Sequence, residues 1–280
     1  MKLLRHGPQG AEKPGLLHTD GTIRDLSGLV PDIGGAVISD VGLAMLRGID
    51  AATLPVVDAA TRLGPCVAGT GKFICIGLNY SDHAAETGAK VPPEPIIFMK
   101  ATSAIVGAND PIIIPRTSEK TDWEVELAFI IGKTAKYVSE ADAMDYVAGY
   151  AVANDVSERA FQTERSGQWT KGKSCDNFGQ IGPWLVTRDE VADPQDLAMW
   201  LTVNGISRQN GSTRTMVYGV KFLVSYLSQF MSLHPGDVIS TGTPPGVGLG
   251  MKPPQFLKAG DVVELGIAGL GQQRQDVIAD

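Results

Sequence analysis

Short apolar runs that end at glycine or proline follow one another along most of this 280-residue chain. Such runs, bounded by turn residues, are typical of buried β-strands. We predict strands at residues 73–77, 96–99, 112–114, 122–132, 147–153, 197–203, 238–240 and 260–267. Because these segments do not alternate with helices, we expect a β-rich α+β fold and not a doubly wound α/β sheet.

Helical spacing of apolar residues occurs over one long segment, residues 215–230, and predicts a helix with one face on the core. Ser39 is placed to cap a second, shorter helix that runs through Leu46. Asp20-Gly21 and Asn204-Gly205 predict hairpin turns, since these residue pairs accept the backbone of a two-residue turn.

Two carboxylates, Glu124 and Glu126, interrupt the most apolar of the predicted strands. Side chains two positions apart in a strand point to the same side, so both acids would leave one face together. They are either exposed acids on a solvated edge strand or part of a buried acidic site, and the apolar run 127–131 favours the second reading. Asp155 follows another predicted strand and supplies a third carboxylate. Three oxygen ligands suit Mg2+ or Mn2+, whereas the scarcity of nearby histidine and paired cysteine disfavours Zn2+.

A histidine and a carboxylate lie three positions apart at His83 and Glu86, on one face of a predicted helical turn. They are either a general base with its orienting carboxylate, able to activate a water molecule, or an ordinary surface pair.

Cationic and amide side chains form a further group of candidates for binding a substrate carboxylate or carbonyl group. They are Arg159, Gln162, Lys100 and Lys173, each of which could instead be a surface residue. A helical turn from Asp155 would place Arg159 and Gln162 on its own face. The glycine-rich loop 241–248 offers backbone N–H groups and the Thr243 hydroxyl to an anion, or is a plain tight turn.

Composition and charge exclude several classes of protein. The formal net charge of −7, without any basic cluster, argues against a nucleic-acid partner. No apolar run approaches the roughly 20 residues of a membrane helix, and the N-terminus lacks the apolar core of a secretory signal. Three cysteines without metal-like spacing fit a reducing cytoplasm.

The stretch 61–72 carries four residues typical of a linker, namely Gly64, Pro65, Gly69 and Gly71. We therefore expect a small N-terminal structural domain over residues 1–65 and a catalytic domain over residues 66–280.

The candidate segments, taken in order, resemble the fumarylacetoacetate hydrolase family over roughly residues 73–271. One motif alone would be weak evidence, but the ordered set is specific. The matching segments are Gly77-Leu78-Asn79-Tyr80 with Asp82-His83 and Glu86, Phe98-x-Lys100 with Ser103 and Gly107, Trp123-Glu124-Val125-Glu126-Leu127, Gly149-Tyr150 with Asn154-Asp155 and Arg159, Gly172-Lys173 with Asp176 and Gly182-Pro183, Asn204-Gly205 with Gln209, Pro235-Gly236-Asp237, and Thr241-Gly242-Thr243-Pro244. One departure is Cys175, where many relatives carry an aromatic residue.

This resemblance implies a mixed β-sandwich roll with a small N-terminal domain, usually as a homodimer. It implies Mg2+, Mn2+ or Ca2+ on Glu124, Glu126 and Asp155. It also implies a catalytic group formed by His83 and Glu86, carried on a lid, together with Lys173. The side chains that would contact the substrate are Tyr80, Lys100, Arg159, Gln162 and Thr243.

Members of this family bind the same part of their substrates, the carboxylate and keto oxygens of a 2-oxo acid, but they catalyse different reactions. The resemblance is greatest to a bacterial branch labelled ureidoglycolate lyase, which also contains hydrolases of 2,4-diketo-3-deoxy sugar acids. We favour hydrolysis of a 2,4-diketo acid to pyruvate and a carboxylic acid, because His83 and Glu86 would supply an activated water. The alternatives are ureidoglycolate lyase, oxaloacetate decarboxylase, 2-oxo-enoate hydratase, and a non-catalytic protein that binds a 2-oxo acid.

Overall fold

The computed structural model describes residues 1–82, 86 and 92–280. Within these ranges, the strands are β1 (Lys2–His6), β2 (Lys13–Leu17), β3 (Ile23–Asp25), β4 (Val56–Val57), β5 (Phe73–Gly77), β6 (Ile96–Lys100), β7 (Ile105–Gly107), β8 (Ile112–Ile114), β9 (Thr121–Asp122), β10 (Val125–Ile131), β11 (Val147–Asp155), β12 (Ser157–Glu158), β13 (Gly179–Thr187), β14 (Ala198–Val203), β15 (Ile206–Ser212), β16 (Val238–Ser240), β17 (Val262–Ile267) and β18 (Gly271–Ala279). The α-helices whose bounds lie within these ranges are α1 (Asp40–Arg47), α2 (Arg159–Thr163), α3 (Thr170–Lys173) and α4 (Val220–Phe230).

Two large mixed sheets organise the described part of the chain. The first has the strand order β4-β3-β2-β1-β13-β11-β10-β16-β5-β6, with β7 beside β13, and the second has the order β15-β14-β17-β18-β8. Most neighbours are antiparallel, but β16 with β5, β13 with β7 and β18 with β8 are parallel pairs. The expected β-rich α+β fold with mixed sheets is therefore confirmed.

The central strand β10 is buried on both of its faces, which explains its nearly unbroken apolar run. Leu127 and Phe129 belong to a core between this sheet and the second sheet and α4. Ala128 and Ile130 face the opposite side and pack in a second core, which includes Leu3 and other residues of the N-terminal segment. A polar group on β10 is therefore held inside the protein, whichever face it leaves.

The N-terminal segment joins the first sheet through β1, which pairs with β13. The stretch 61–72 is tied to the same strand, because Gly64 N donates a hydrogen bond to Arg5 O at 2.9 Å. The division into domains 1–65 and 66–280 stays a prediction. None of the helices in the described ranges is long and apolar enough to cross a membrane.

Several element boundaries differ from the prediction. Strand β10 begins at Val125, so Glu124 precedes it, and Asp155 ends β11 where a helical turn was expected. The long helix starts at Val220, after Gly219, because a separate 3-10 turn occupies Thr213–Thr215. The final strand β18 was not predicted, since its buried positions are mostly glutamines in a polar sequence.

The hairpin turn between β14 and β15 has the predicted left-handed backbone, with φ of 53° at Asn204 and 73° at Gly205. We expect Gly205→Ala to lower the free energy of unfolding by about 1 kcal/mol, because an added Cβ disfavours this conformation. Gly28→Ala is the matched control, since a Cβ at either glycine meets nothing within 4 Å and only Gly205 has a positive φ. Urea titrations of both variants measure the difference, and equal losses would contradict a backbone cause.

Candidate active site

Three carboxylates meet where β10 and β11 lie side by side. Glu124 and Glu126 flank Val125 at the start of β10, and Val125 is paired with Asn154, the neighbour of Asp155. Asp155 N donates a hydrogen bond to Glu124 O at 3.0 Å, which brings the end of β11 against this segment. Each residue offers a carboxylate oxygen, and these atoms lie within 4.8 Å of one another. All three side chains are buried, so the site is not a solvated edge.

Buried cations surround two of these carboxylates. The Lys173 ammonium group donates to Glu124 Oε2 and Asp155 Oδ2, each at 2.7 Å. Lys100 donates to the other oxygen of Asp155 and to Val156 O. Arg159 contacts Glu124 Oε1 at 2.7 Å. The cluster is thus a network of charges in a low-dielectric interior, where each charge matters more than at the surface.

The third carboxylate, Glu126, has a different environment. Its Oε2 accepts hydrogen bonds from the Ser240 hydroxyl and from Gly242 N, and no lysine or arginine of the described residues forms an ion pair with it. Burial, and then the like charges of Asp155 and Glu124, raise the pKa of Glu126 well above its ordinary value.

Glu124 shows the opposite balance. Burial alone would raise its pKa, but the charges of Lys173 and Arg159 outweigh burial and lower the pKa to about 2. The site therefore holds Glu124, which two cations keep ionised, beside Glu126, which forms no ion pair with a lysine or arginine of the described residues.

These residues fit a hard divalent cation. Oxygen donors at short mutual distances are what Mg2+ and Mn2+ prefer, and a cation beside Glu126 would relieve its repulsion by its neighbours. With all groups ionised, Asp122 and the three clustered carboxylates oppose the three cations, which leaves one net negative charge. A divalent cation would make the site net positive by one, which suits an anionic ligand.

A cavity of about 240 Å³ opens beside the carboxylates. Its volume lies just below the usual range of pockets for drug-sized ligands, so it suits a small molecule. Its walls are largely apolar, and Phe98 and Trp169 form an edge-to-face pair with ring centroids 5.2 Å apart. The Lys173 ammonium group lies 5.1 Å from the centre of the Phe98 ring. One charged wall and several apolar walls would hold an acid with a short carbon chain.

The structure brings several predicted substrate-contacting residues to this cavity. Arg159, Gln162, Lys173 and Thr243 line it together with Glu124 and Glu126. Arg159 Nη1 donates to Gln162 Oε1 at 3.1 Å, so this pair is preassembled on α2. The Thr243 hydroxyl donates to Val125 O at 2.9 Å and accepts from Gln209, which fixes the glycine-rich loop against β10.

Two predicted substrate-contacting residues lie away from the cavity lining. Tyr80 is fully buried and its hydroxyl donates to Met199 Sδ at 3.4 Å. The Lys100 ammonium group donates hydrogen bonds to Asp155 and to Val156 O. It therefore contacts a proposed metal ligand and does not line the cavity. The substrate-binding role of both residues stays a prediction.

Glu86 of the predicted His–Glu pair is bound to the glycine-rich loop. Glu86 accepts hydrogen bonds from Gly246 N at 3.0 and 3.2 Å, one to each carboxylate oxygen. This contact places Glu86 on the glycine-rich loop that borders the cavity. His83 lies outside the described residues, and its role stays a prediction.

Sequence reasoning missed several residues of the site. Asp122 contacts Arg159, Ser240 contacts Glu126, and Trp169 lines the cavity. Asp122 is the first residue of the predicted strand 122–132 and Ser240 is the last residue of the predicted strand 238–240, so a polar side chain at the end of an apolar strand was an available signal. Trp169 lies in a polar stretch, where no local pattern marks a cavity wall.

Comparisons with known proteins agree with this geometry. The family model described as fumarylacetoacetate (FAA) hydrolase C-terminal matches residues 72–278. A protein of Burkholderia lata that carries only a general hydrolase name is 64% identical over 276 residues, 98% of each chain. A solved structure of a fumarylacetoacetate hydrolase from Exiguobacterium antarcticum is 36% identical with a TM-score of 0.85, and all of both chains is covered. A maleylpyruvate hydrolase from Sphingobium sp. SYK-6, solved with a manganese(II) ion and pyruvate, is 30% identical with a TM-score of 0.83, covering 100% of this chain and 99% of that one.

Proposed function

The chain belongs to the fumarylacetoacetate hydrolase family, and on that premise we propose that it is a metal-dependent hydrolase of a 2,4-diketo acid. It would cleave the C3–C4 bond to give pyruvate and a carboxylic acid, and a 2,4-diketo-3-deoxy sugar acid is a suitable substrate. The observation that carries the proposal is the buried group Glu124, Glu126 and Asp155 beside a small cavity lined by Lys173 and Arg159. The maleylpyruvate hydrolase with bound manganese and pyruvate supports the same substrate class.

The metal would be held by the three carboxylates, with Mg2+, Mn2+ and Ca2+ all compatible with oxygen donors. When bound, it supplies a Lewis acid for the carboxylate and keto oxygens of the substrate. Lys100 forms a 2.5 Å ion pair with Asp155. This contact would orient the Asp155 carboxylate before a metal binds.

The cavity residues would orient the rest of the substrate. Gln162 turns its carbonyl oxygen to Arg159, so its NH2 group is the part available to a substrate oxygen at the C4 end. The N–H groups of Gly242, Gly246 and Gly248 are already bonded to Glu126, Glu86 and Asp122. The backbone N–H of Thr243, a residue that lines the cavity, would therefore be the one that contacts the substrate carboxylate. The apolar walls, including Phe98 and Trp169, would limit water in the site and so strengthen these polar contacts.

Bond cleavage needs a nucleophilic water and a place for the released electron pair. We assign His83 as the base that takes a proton from water, with Glu86 as its orienting carboxylate. The resulting hydroxide attacks C4, the C3–C4 bond breaks, and its electron pair moves towards the C2 oxygen. The Lys173 ammonium group stabilises the negative charge there, and C3 then takes up a proton to give pyruvate.

We test this function with a panel of 2-oxo acids, each incubated with the protein and Mg2+ or Mn2+. The panel contains an acylpyruvate, a 2,4-diketo-3-deoxy sugar acid, oxaloacetate, ureidoglycolate and a 2-oxo-enoate. We expect pyruvate together with a carboxylic acid from the diketo acids, and loss of activity with EDTA. Turnover confined to oxaloacetate, ureidoglycolate or the enoate would overturn the proposal in favour of a decarboxylase, lyase or hydratase, and binding without turnover would favour a non-catalytic protein.

We propose a homodimer in the cytoplasm, which light scattering and cell fractionation would test. The cysteines Cys66, Cys75 and Cys175 are free thiols in the structure, in keeping with a reducing compartment.

A further inference from the structure

Asp122 is a fully buried carboxylate that the proposed chemistry does not use. It ends β9, two residues before Glu124, and its two oxygens accept hydrogen bonds in two directions. On one side, Arg159 Nε donates to Oδ2 at 2.8 Å. On the other, Gly248 N donates to Oδ1 at 2.7 Å and Leu249 N donates to Oδ2 at 3.0 Å. One side chain therefore joins a cavity cation to the glycine-rich loop.

The next residue, Trp123, holds the same loop at a second point. Its indole N–H donates to Gly246 O at 3.0 Å. The close approach at Gly248 leaves no room for any side chain, because a Cβ there would lie 1.9 Å from Gln255 O and 2.7 Å from Asp122 Oδ1. The loop segment 246–249 is therefore fixed by the pair Asp122-Trp123 directly before the first proposed metal ligand.

The loop fixed in this way offers its Gly246 N–H to Glu86. We propose that Asp122 is a positioning residue that sets the place where Glu86 docks, by holding Gly248 and Leu249 at a fixed distance from Arg159. This inference rests on the proposed function, in which Glu86 orients the base. Because Arg159 also contacts Glu124, the same contacts keep the Glu86 docking point in register with the carboxylate cluster.

Asp122→Asn tests this role because it keeps the size of the side chain but removes the charge and one acceptor. The amide cannot accept from Arg159 and from both loop N–H groups, so the loop should shift from its place. We expect kcat/KM to fall about 10–100-fold, the range for groups that orient catalytic or ligating side chains. Mn2+ affinity should change far less, because the three carboxylates are intact.

A double-mutant comparison shows whether Asp122 acts through Glu86. Glu86→Ala should lower kcat/KM, and adding Asp122→Asn should lower it less than threefold further, because the docked carboxylate is already gone. Fully multiplicative losses would overturn the inference. Asp237→Asn is the matched control, since Asp237 is also buried, accepts from the backbone N–H groups of Lys72 and His234, and pairs with a lysine, but lies away from the cavity. Any decrease in kcat/KM caused by Asp237→Asn should multiply the decrease caused by Glu86→Ala.

Amide hydrogen exchange decides the inference without substrate or metal. Asp122→Asn should speed exchange at Gly246 as well as at Gly248 and Leu249, whereas Glu86→Ala should speed it at Gly246 alone. Unchanged exchange at Gly246 in Asp122→Asn would overturn the inference even if the enzyme hydrolyses diketo acids. Conversely, a failure of the hydrolase proposal would leave this exchange pattern standing. If Asp122→Asn does not fold, Trp123→Phe removes the indole N–H that holds Gly246 O, keeps an aromatic ring and leaves Asp122 in place, and it should also speed exchange at Gly246.

Discussion

Replacing Lys173 by methionine is expected to lower kcat/KM by about 10²–10³-fold, the loss seen when a donor to a developing negative charge is removed. Lys173 is buried, lines the cavity and lies 2.7 Å from oxygens of both Glu124 and Asp155. Methionine keeps most of the volume but carries no charge, so the electron pair that leaves the C3–C4 bond would lose its stabilising cation.

The Mn2+ affinity of the variant shows whether Lys173 acts on the reaction or only supports the structure of the site. Removing the ammonium group frees one oxygen of Glu124 and one of Asp155, so Mn2+ affinity measured by calorimetry should be retained or increased while turnover falls. The matched control is Lys171→Met, an exposed lysine in the same short helix α3, which should keep full activity. Wild-type turnover in Lys173→Met would contradict the assigned role.

Replacing His83 by alanine is expected to lower kcat by about 10²–10⁴-fold, the usual contribution of a positioned general base. The physical reason is that water at neutral pH is a poor nucleophile until a base takes its proton. Glu86, the proposed partner of His83, accepts hydrogen bonds from Gly246 N and is therefore bound to the loop that borders the cavity.

The His83 prediction has its own controls. Mn2+ affinity should be unchanged in His83→Ala, because His83 is not among the three clustered carboxylates. His234→Ala, which changes an exposed histidine, should have wild-type activity. Added imidazole should restore part of the activity of His83→Ala at neutral pH. A fully active His83→Ala enzyme would remove His83 from the mechanism and leave water activation to another group.

The acidic site was predictable because a carboxylate inside a continuous apolar run would be buried, which is costly unless a positive charge such as a metal ion lies beside it. The run 127–131 proved buried on both faces, and Glu126 within the same strand is buried with it. The expectation that Glu124 and Glu126 leave one face together is confirmed, because their carboxylate oxygens lie within 4.8 Å of each other although β10 begins only at Val125. The pairing of β10 with β11 continues through Glu124, whose carbonyl oxygen accepts a hydrogen bond from Asp155 N.

Other features depend on contacts distant in sequence, which no local pattern reveals. Asp122 meets Gly248 and Leu249, 126 and 127 residues later in the chain. Strand β18 is polar in sequence but pairs with β17 and β8 in the second sheet. Its buried side chains Gln273 and Gln275 donate hydrogen bonds to the carbonyl groups of Val152 and Ala108. Lys100 looked like a substrate ligand from its motif, whereas its ion pair with Asp155 is visible only when β6 and β11 are in place.

The most direct test of the central claim, hydrolysis of a 2,4-diketo acid, is to run the reaction in 18O-labelled water and analyse both products by mass spectrometry. If an activated water attacks C4, one solvent oxygen enters the carboxylate of the second product. Carboxylate oxygens exchange slowly, so a parallel incubation of that acid without turnover corrects for background. We predict one 18O atom per molecule of this acid formed. An acid product without label, or pyruvate formed beside a co-product that is not an acid, would contradict the hydrolase account.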